Sequence, residues 1–498
     1  MTSQIIIHSS NEPKPHFVLV PMMAQGHMIP MLDFAVFLAH HGSLVTVITT
    51  PLNASRNRAT INSARDSGIS IRFVELAFPC KELGLPEGCE NIDIVPSAEL
   101  MKNFFEGLSL LAEPVEKYLR EQEPYPNCMV TDFCHHWTQK VADNLQIPRL
   151  TFFSICCFTL LCTHNISHYK VYDRITDEHE PFDVPGLSQK IVVTKDQAPA
   201  GFFVEPGWEE FAKKVEKAEL AADGIVVNTF NDLELQHIKN YQIAMGKKVW
   251  AVGPFFLHNK NLSNMSMRGN KASIDINKCL TWLDSKEPRS VVYVNFGSLT
   301  FVEARRLIEI GLGLESSNHP FIWVIKEHEI SPEVEGWLSE GFEERVKSRS
   351  LLIKGWAPQV LILSHPAVGG FMTHCGWNST LEGISTGVPM ITWPHFADQF
   401  LNERMVVDVL KIGVSVGVKK RGMWVDSKEV LANREDVRKA VKRLMDGGEA
   451  AEGIRQRATE VGRKARDAMK EGGSSYDSMT SFIHYFSVEG RTDDEGQV

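Results

Sequence analysis

Short apolar runs alternate with longer amphipathic ones through the first 250 residues. His16-Phe-Val-Leu-Val-Pro21 predicts a buried strand, Met28 to His41 an apolar helix closed by Gly42, and Leu44 to Thr49 a second strand. Further strands are predicted at Ser70–Glu75, Cys128–Thr131, Arg149–Phe153 and Gly224–Asn228. Strands separated by helical stretches imply a parallel sheet with crossover helices. The pattern breaks between Gly253 and Ile276, which is polar and turn-rich, and then restarts. Strands follow at Ser290–Phe296, Pro320–Ile325, Ser350–Lys354, Val368–Thr373 and Pro389–Trp393, with a helix at Phe301–Leu314. The last 50 residues are mostly helical and charged, and Arg491 to Val498 is a polar tail. No repeat recurs at fixed period, but two similar βα halves are evident. The predicted organisation is a domain over residues 1–252, a linker over 253–276 and a second domain over 277–470.

A chain of 498 residues is too long for one core, which agrees with two domains. The formal charge of −10, without a Lys/Arg block, argues against nucleic acid or anionic membrane as partners. Met1 to Lys14 lacks the pattern of a secretory signal, and the longest near-apolar run, Leu150 to Cys162, is too short to span a bilayer. It suits a buried strand running into a helix. Nine cysteines form no spaced framework, so a reducing, cytoplasmic compartment and a soluble protein are expected. The sequons at Asn165 and Asn378 then have no meaning as glycan sites.

An open parallel sheet binds ligands beyond the carboxyl ends of its strands, and two such domains face to face make a cleft where two substrates meet. The densest chemistry lies in Trp356 to Gln399. There the strand Val368–Thr373 leads through His374-Cys-Gly-Trp-Asn-Ser-Thr380 into a helix whose first part is Ser379 to Ile384. A strand passing through Gly into an Asn-Ser-Thr helix start offers free N–H groups and a dipole to a phosphate, and His374 can add a hydrogen bond. An ordinary capped helix would look similar. Trp356, Gln359, Glu382, Asp398 and Gln399 shift the balance, supplying an aromatic face for a base, an acceptor for ribose hydroxyls and polar groups for a sugar.

These 44 residues resemble the signature box of plant uridine-diphosphate-dependent glycosyltransferases. The resemblance runs from His16 to about Phe486. It includes Pro21-Met-Met-Ala-Gln-Gly-His27, Glu90-Asn-Ile-Asp93, Val291-Val-Tyr-Val-Asn-Phe-Gly-Ser298 and Glu471-Gly-Gly-Ser-Ser475. It implies a GT-B fold of two doubly wound α/β domains, the first binding acceptor and the second donor. A final helix, about residues 471–488, would cross back to the first domain. The resemblance further implies that Trp356 stacks on uracil beside Ala357. Gln359 and Glu382 would hold the ribose, and His374, Asn378, Ser379 and Ser298 the diphosphate. Trp377, Asp398, Gln399 and Ser154 would contact the sugar. The group most similar acts on flavonoids, triterpenoids and steroids.

His27 sits in the loop after the first strand, where a neutral imidazole can take a proton from an acceptor hydroxyl. An isolated His at such a place is more often merely solvated; the resemblance makes this one the general base. Asp132 follows a strand end and would orient that base, although an Asp there is also a good helix N-cap. The implied reaction is a single displacement that inverts the anomeric centre, with UDP-glucose as co-substrate, no cofactor and no metal, in a monomer. Gln399 favours glucose over galactose, since galactose-preferring relatives tend to carry His at that position. Alternatives are another UDP-sugar, or a silent protein that binds UDP-sugar without catalysis. Phe133, Phe202, Phe203 and Phe396 are candidates to line the acceptor pocket, and core packing explains them equally well.

Three similar-looking patterns are set aside. Gly383-Ile-Ser-Thr-Gly387 has a helix before and a strand after, the reverse of a hydrolase elbow. Gly311-Leu-Gly-Leu-Glu-Ser316 lacks the third Gly of a dinucleotide loop. Cys157, Cys162, His164 and His168 share an apolar helix with no second thiolate pair, so inert cysteines are favoured over zinc. No Asp-x-Asp pair suited to a metal–diphosphate complex is present.

Overall fold

The computed structural model describes residues 14–198, 203, 206–258, 265, 268–421 and 432–487. Two parallel sheets dominate. The first runs β1 (His16–Val20), β2 (Leu44–Thr49), β3 (Ile71–Glu75), β4 (Cys128–Asp132), β5 (Arg149–Phe153), β8 (Gly224–Val227) and β9 (Val249–Ala251) in spatial order β3-β2-β1-β4-β5-β8-β9. The short strands β6 (Phe182–Asp183) and β7 (Val192–Val193) pair antiparallel outside it. The second sheet holds β10 (Val291–Asn295), β11 (Phe321–Ile325), β12 (Ser350–Lys354), β13 (Val368–Thr373), β14 (Met390–Thr392) and β15 (Gly413–Ser415), ordered β12-β11-β10-β13-β14-β15.

Every residue of β1, β2, β4 and β5 is buried, as expected of strands covered by helices on both faces. That is why they read as continuous apolar runs and not as alternations. β9 and β15, three residues each at sheet edges, escape prediction because so short a run carries no period. The first helix spans Gln25–His40 and not Met28–His41, so His27 lies in its first turn and not in a loop. Its N-cap, Ala24, has no side-chain cap, which leaves the true start without a sequence signal. The predicted helix at Phe301 begins at Ala304, and the one predicted from Ser379 begins at Trp377 behind an N-cap Gly376.

One apolar core lies on the first sheet and another on one face of the second. A third joins the domains, packing Cys156, Phe158 and Phe230 with Trp377, Leu401 and Met405. The helix Ser474–Phe486 lies on the first domain: Phe482 stacks on Phe17 at 5.3 Å, and Ser475 donates to the Gly253 carbonyl at 2.5 Å.

Candidate active site

In each sheet the strand order reverses its direction of growth once, between β1 and β4 in the first and between β10 and β13 in the second. Such switch points open a crevice at the carboxyl ends of the strands. His27 follows β1 and Asp132 is the last residue of β4, so the first crevice holds both. Ser298 follows β10 and His374 follows β13, so the second crevice holds that pair. Four residues far apart in sequence thus gather at two geometrically equivalent places.

His27 Nδ1–H donates to Asp132 Oδ2 at 2.7 Å. Asp132 is fully buried, while the His27 side chain is 23% exposed. With the proton held on Nδ1, the lone pair is on Nε2. Burial pulls the His27 pKa down, but the charge and hydrogen bond of Asp132, aided by Asp398 from the other domain, outweigh it, and the pKa is raised above 6.5. Burial likewise opposes ionisation of Asp132, yet its pairing with His27 and its other partners hold it below the ordinary value. Asp132 does not cap a helix: its Oδ1 accepts the Cys134 N–H at 3.2 Å, and the next helix starts only at Thr138.

The His374 ring is wedged between glycines. A Cβ on Gly297 would lie 2.5 Å from its Cε1, and one on Gly376 would lie 2.4 Å from its Nε2. Only glycine permits that approach. Burial, with Lys326 nearby, lowers the His374 pKa to about 3, so the ring is neutral and keeps one N–H to donate. Next to it the helix Trp377–Thr386 presents its first N–H groups. The Asn378 amide reaches across the cleft to donate to the Gly26 carbonyl, one residue before His27.

Deeper in the second domain, Gln359 Nε2 donates to Ser379 Oγ at 3.0 Å and to Glu382 Oε2 at 2.7 Å, while its Oε1 accepts from Asn295 at 2.7 Å. Gln359 therefore fixes the two box residues that flank it. Trp356 is half-buried, and its backbone pairs with Ser273 at 2.8 and 2.9 Å. Ala357, beside it, is buried.

Among the residues expected to contact the sugar, Trp377 directs its indole N–H to the Asn228 carbonyl at 2.8 Å. Burial pushes Asp398 up to about 6 against hydrogen bonds that favour its charged form, including Asn402 Nδ2–H at 2.6 Å. The Gln399 carbonyl oxygen accepts two backbone N–H groups, from His395 at 2.8 Å and Phe396 at 3.2 Å. Both its lone pairs are thus engaged, and the NH2 is the part left to read a ligand. Ser154 is buried in the bend after β5, beside the end of β4.

Sequence reasoning missed Asn402. It is fully buried and bonds Asp398, the Cys375 carbonyl at 2.8 Å and Thr159 of the first domain at 2.8 Å. Its spacing of four from Asp398, one helical turn, was a signal that could have found it. Arg268, in the predicted linker, carried no such signal. It pairs with Asp33 of the first domain at 2.8 Å and with Glu382 of the second.

Of the acceptor candidates, Phe133 is buried, stacked on Phe153 at 5.2 Å and 6.1 Å from the His27 ring. Phe203 packs with Phe105, Trp208 and Phe211 and touches Phe133 at 6.3 Å. An aromatic wall thus leads outward from His27. Phe396 is half-buried beside Gln399, and Phe202 lies outside the described residues. All nine cysteines are buried and none forms a disulfide; burial raises the Cys157 thiol well above its ordinary value and Cys162 similarly. No described helix is long and apolar enough to cross a membrane.

Residues 16–257 match a family described as "Glycosyltransferase, N-terminal domain", and residues 226–454 one described as "UDP-glucoronosyl and UDP-glucosyl transferase". UDP-glycosyltransferase 73C3 of Arabidopsis thaliana is 48% identical over 475 residues, 95% of this chain and 96% of its own. A crystal structure of Glycyrrhiza uralensis UGT73P12 complexed with glycyrrhetinic acid 3-O-monoglucuronide is 36% identical. It superposes with a TM-score of 0.89 over 97% of this chain and 98% of its own. The structure of Phytolacca americana UGT2 complexed with UDP-2fluoro-glucose and pterostilbene is 28% identical, with a TM-score of 0.75 over 95% and 99%.

Proposed function

Because the chain belongs to the plant UDP-glycosyltransferase family, with two facing Rossmann-like domains of GT-B type, we propose that it is an inverting glucosyltransferase. It takes glucose from UDP-glucose and places it on a hydroxyl of a small hydrophobic plant metabolite, a flavonoid or triterpenoid. The carrying observation is the 2.7 Å His27–Asp132 pair, facing the box helix across a cleft bridged by Asn378 and Gly26.

His27 Nε2 removes the acceptor proton as the oxygen attacks the anomeric carbon, and Asp132 stabilises the imidazolium that forms. The diphosphate leaves toward the N–H groups of the Trp377–Thr386 helix and the neutral His374, which oppose its charge without a metal. One displacement turns an α-linked donor into a β-glucoside. Relatives complexed with a triterpenoid glucuronide and with pterostilbene support an apolar acceptor, as does the wall of Phe133 and Phe203. Nine buried cysteines without a disulfide support a reducing, cytoplasmic setting, and we take the working unit to be the monomer. Incubating the pure protein with UDP-glucose and a panel of phenols and triterpenoids, read by mass spectrometry, should yield a product heavier by one hexose. No product and no release of UDP with any acceptor would favour a silent binding protein.

A further inference from the structure

Three pieces of the chain meet at Arg268. Its Nε and Nη2 both lie 2.8 Å from Asp33 Oδ2, on the same helix that carries His27, and its Nη1 donates to Glu382 Oε1 in the box helix. The guanidinium also lies 5.4 Å over the Phe256 ring. All three charged groups are well shielded, with side-chain exposures of 16%, 9% and 6% for Arg268, Asp33 and Glu382. Beside Arg268, Gly269 adopts φ +82° so close to Trp356 that a Cβ would lie 2.5 Å from the indole Cζ2, and Asn270 accepts from Gln25 at 2.7 Å. The linker is therefore pressed against the nucleoside end of the second crevice and tied to the first domain at two points.

We infer that Arg268 is a positioning residue for the donor nucleoside, holding the Glu382 carboxylate in the orientation that accepts the ribose hydroxyls and tying it through Asp33 to the helix that carries the base. The inference rests on the reading of Glu382 and Trp356 as the nucleoside site. A carboxylate with Gln359 on one oxygen and Arg268 on the other has both edges fixed, and each oxygen keeps a lone pair for a hydroxyl. Without Arg268, two shielded carboxylates would face each other's field uncompensated, and Glu382 would turn toward water. Charge-assisted hydrogen bonds of this kind set geometry as well as energy.

The test is titration calorimetry on the full chain with UDP and with 2′,3′-dideoxyuridine diphosphate, which lacks both ribose hydroxyls. The unaltered protein should prefer UDP. Arg268→Gln should weaken UDP binding about 10- to 100-fold, the usual range for a lost hydrogen bond to a charged group, and should abolish most of the preference over the dideoxy compound. Asp33→Asn should act in the same direction but less, because it loosens Arg268 without removing it. In kinetics both variants should raise KM for the donor and leave KM for the acceptor unchanged, a split that general structural damage would not produce. If Arg268→Gln binds UDP as well as or better than the parent, or keeps the full ribose preference, the inference is overturned. If the parent itself binds both nucleotides equally, the reading of Glu382 fails instead.

Discussion

Trp377, on the first turn of the box helix, donates its indole N–H to the carbonyl oxygen of Asn228 in the other domain at 2.8 Å. A side chain assigned above to the proposed sugar site is therefore also a clasp between domains. Trp377→Phe keeps an aromatic ring but leaves a buried carbonyl unpaired, which costs about 1–3 kcal/mol. The expected result is a lower melting temperature together with a several-fold lower kcat/KM for the donor. Unchanged melting would mean that the clasp contributes nothing to the seating of the two domains.

His27→Ala should lower turnover on an alkyl alcohol by roughly 10²–10⁴-fold, the usual contribution of a general base. Circular dichroism should show the fold intact, since the His27 side chain is partly exposed. An acidic phenol is a weaker test because it ionises unaided. Near-normal turnover on the alcohol would remove His27 from the mechanism.

The pH profile follows from the same pair. A base works in its neutral form, and the pKa of His27 is raised above 6.5, so the neutral fraction declines as pH falls through a value above 6.5. The acid limb of kcat/KM for an alkyl alcohol should therefore lie higher than for an unperturbed imidazole. Asp132→Asn removes the charge that raises it, so the limb should move to lower pH while the maximum rate drops. A limb that stays in place in Asp132→Asn would dissociate it from His27.

Gln399 is placed to donate and not to accept, because its oxygen is held by two backbone N–H groups. Gln399→Ala should therefore cut the preference for UDP-glucose over UDP-galactose by roughly 5- to 150-fold, the range for about 1–3 kcal/mol per unpaired group. Comparing kcat/KM for both donors with one acceptor decides it. A parent that prefers galactose, or an alanine variant with its glucose preference intact, would show that Gln399 does not read the sugar.

Activity should survive a chelator. In the proposed reaction the diphosphate faces helix N–H groups and a neutral imidazole, and among the described residues no cluster of three His, Cys, Asp or Glu side chains could hold a metal ion. Activity lost in chelator and restored by magnesium or manganese would contradict this.

The sheets were legible because strands buried on both faces leave unbroken apolar runs, as in β1 and β4. The box was legible because its chemistry is contiguous from Trp356 to Gln399. What stayed hidden depends on distance in sequence. Nothing local in Arg268 announces a partner 114 positions away, and the one local hint of Asn402, its spacing from Asp398, says nothing of Thr159, 243 positions away. The start of the first helix is obscured because Ala24 cannot cap it, so the sequence alone reads His27 as part of a loop. The alternative reading of Asp132 as a helix cap fails because the chain turns through Cys134 before the next helix begins at Thr138.

The stacking of Phe482 on Phe17 has a consequence for biosynthesis. During translation the first sheet is complete once β9 has emerged, but Met479, Phe482 and Phe486, which seal its core, are more than 200 residues away. At about 5–20 residues per second, the nascent domain waits on the order of ten seconds or more with that apolar surface open. A chaperone bound in the interval would be displaced by the chain's own last helix. Truncation before Met479 should accordingly give aggregated protein and not a weaker enzyme.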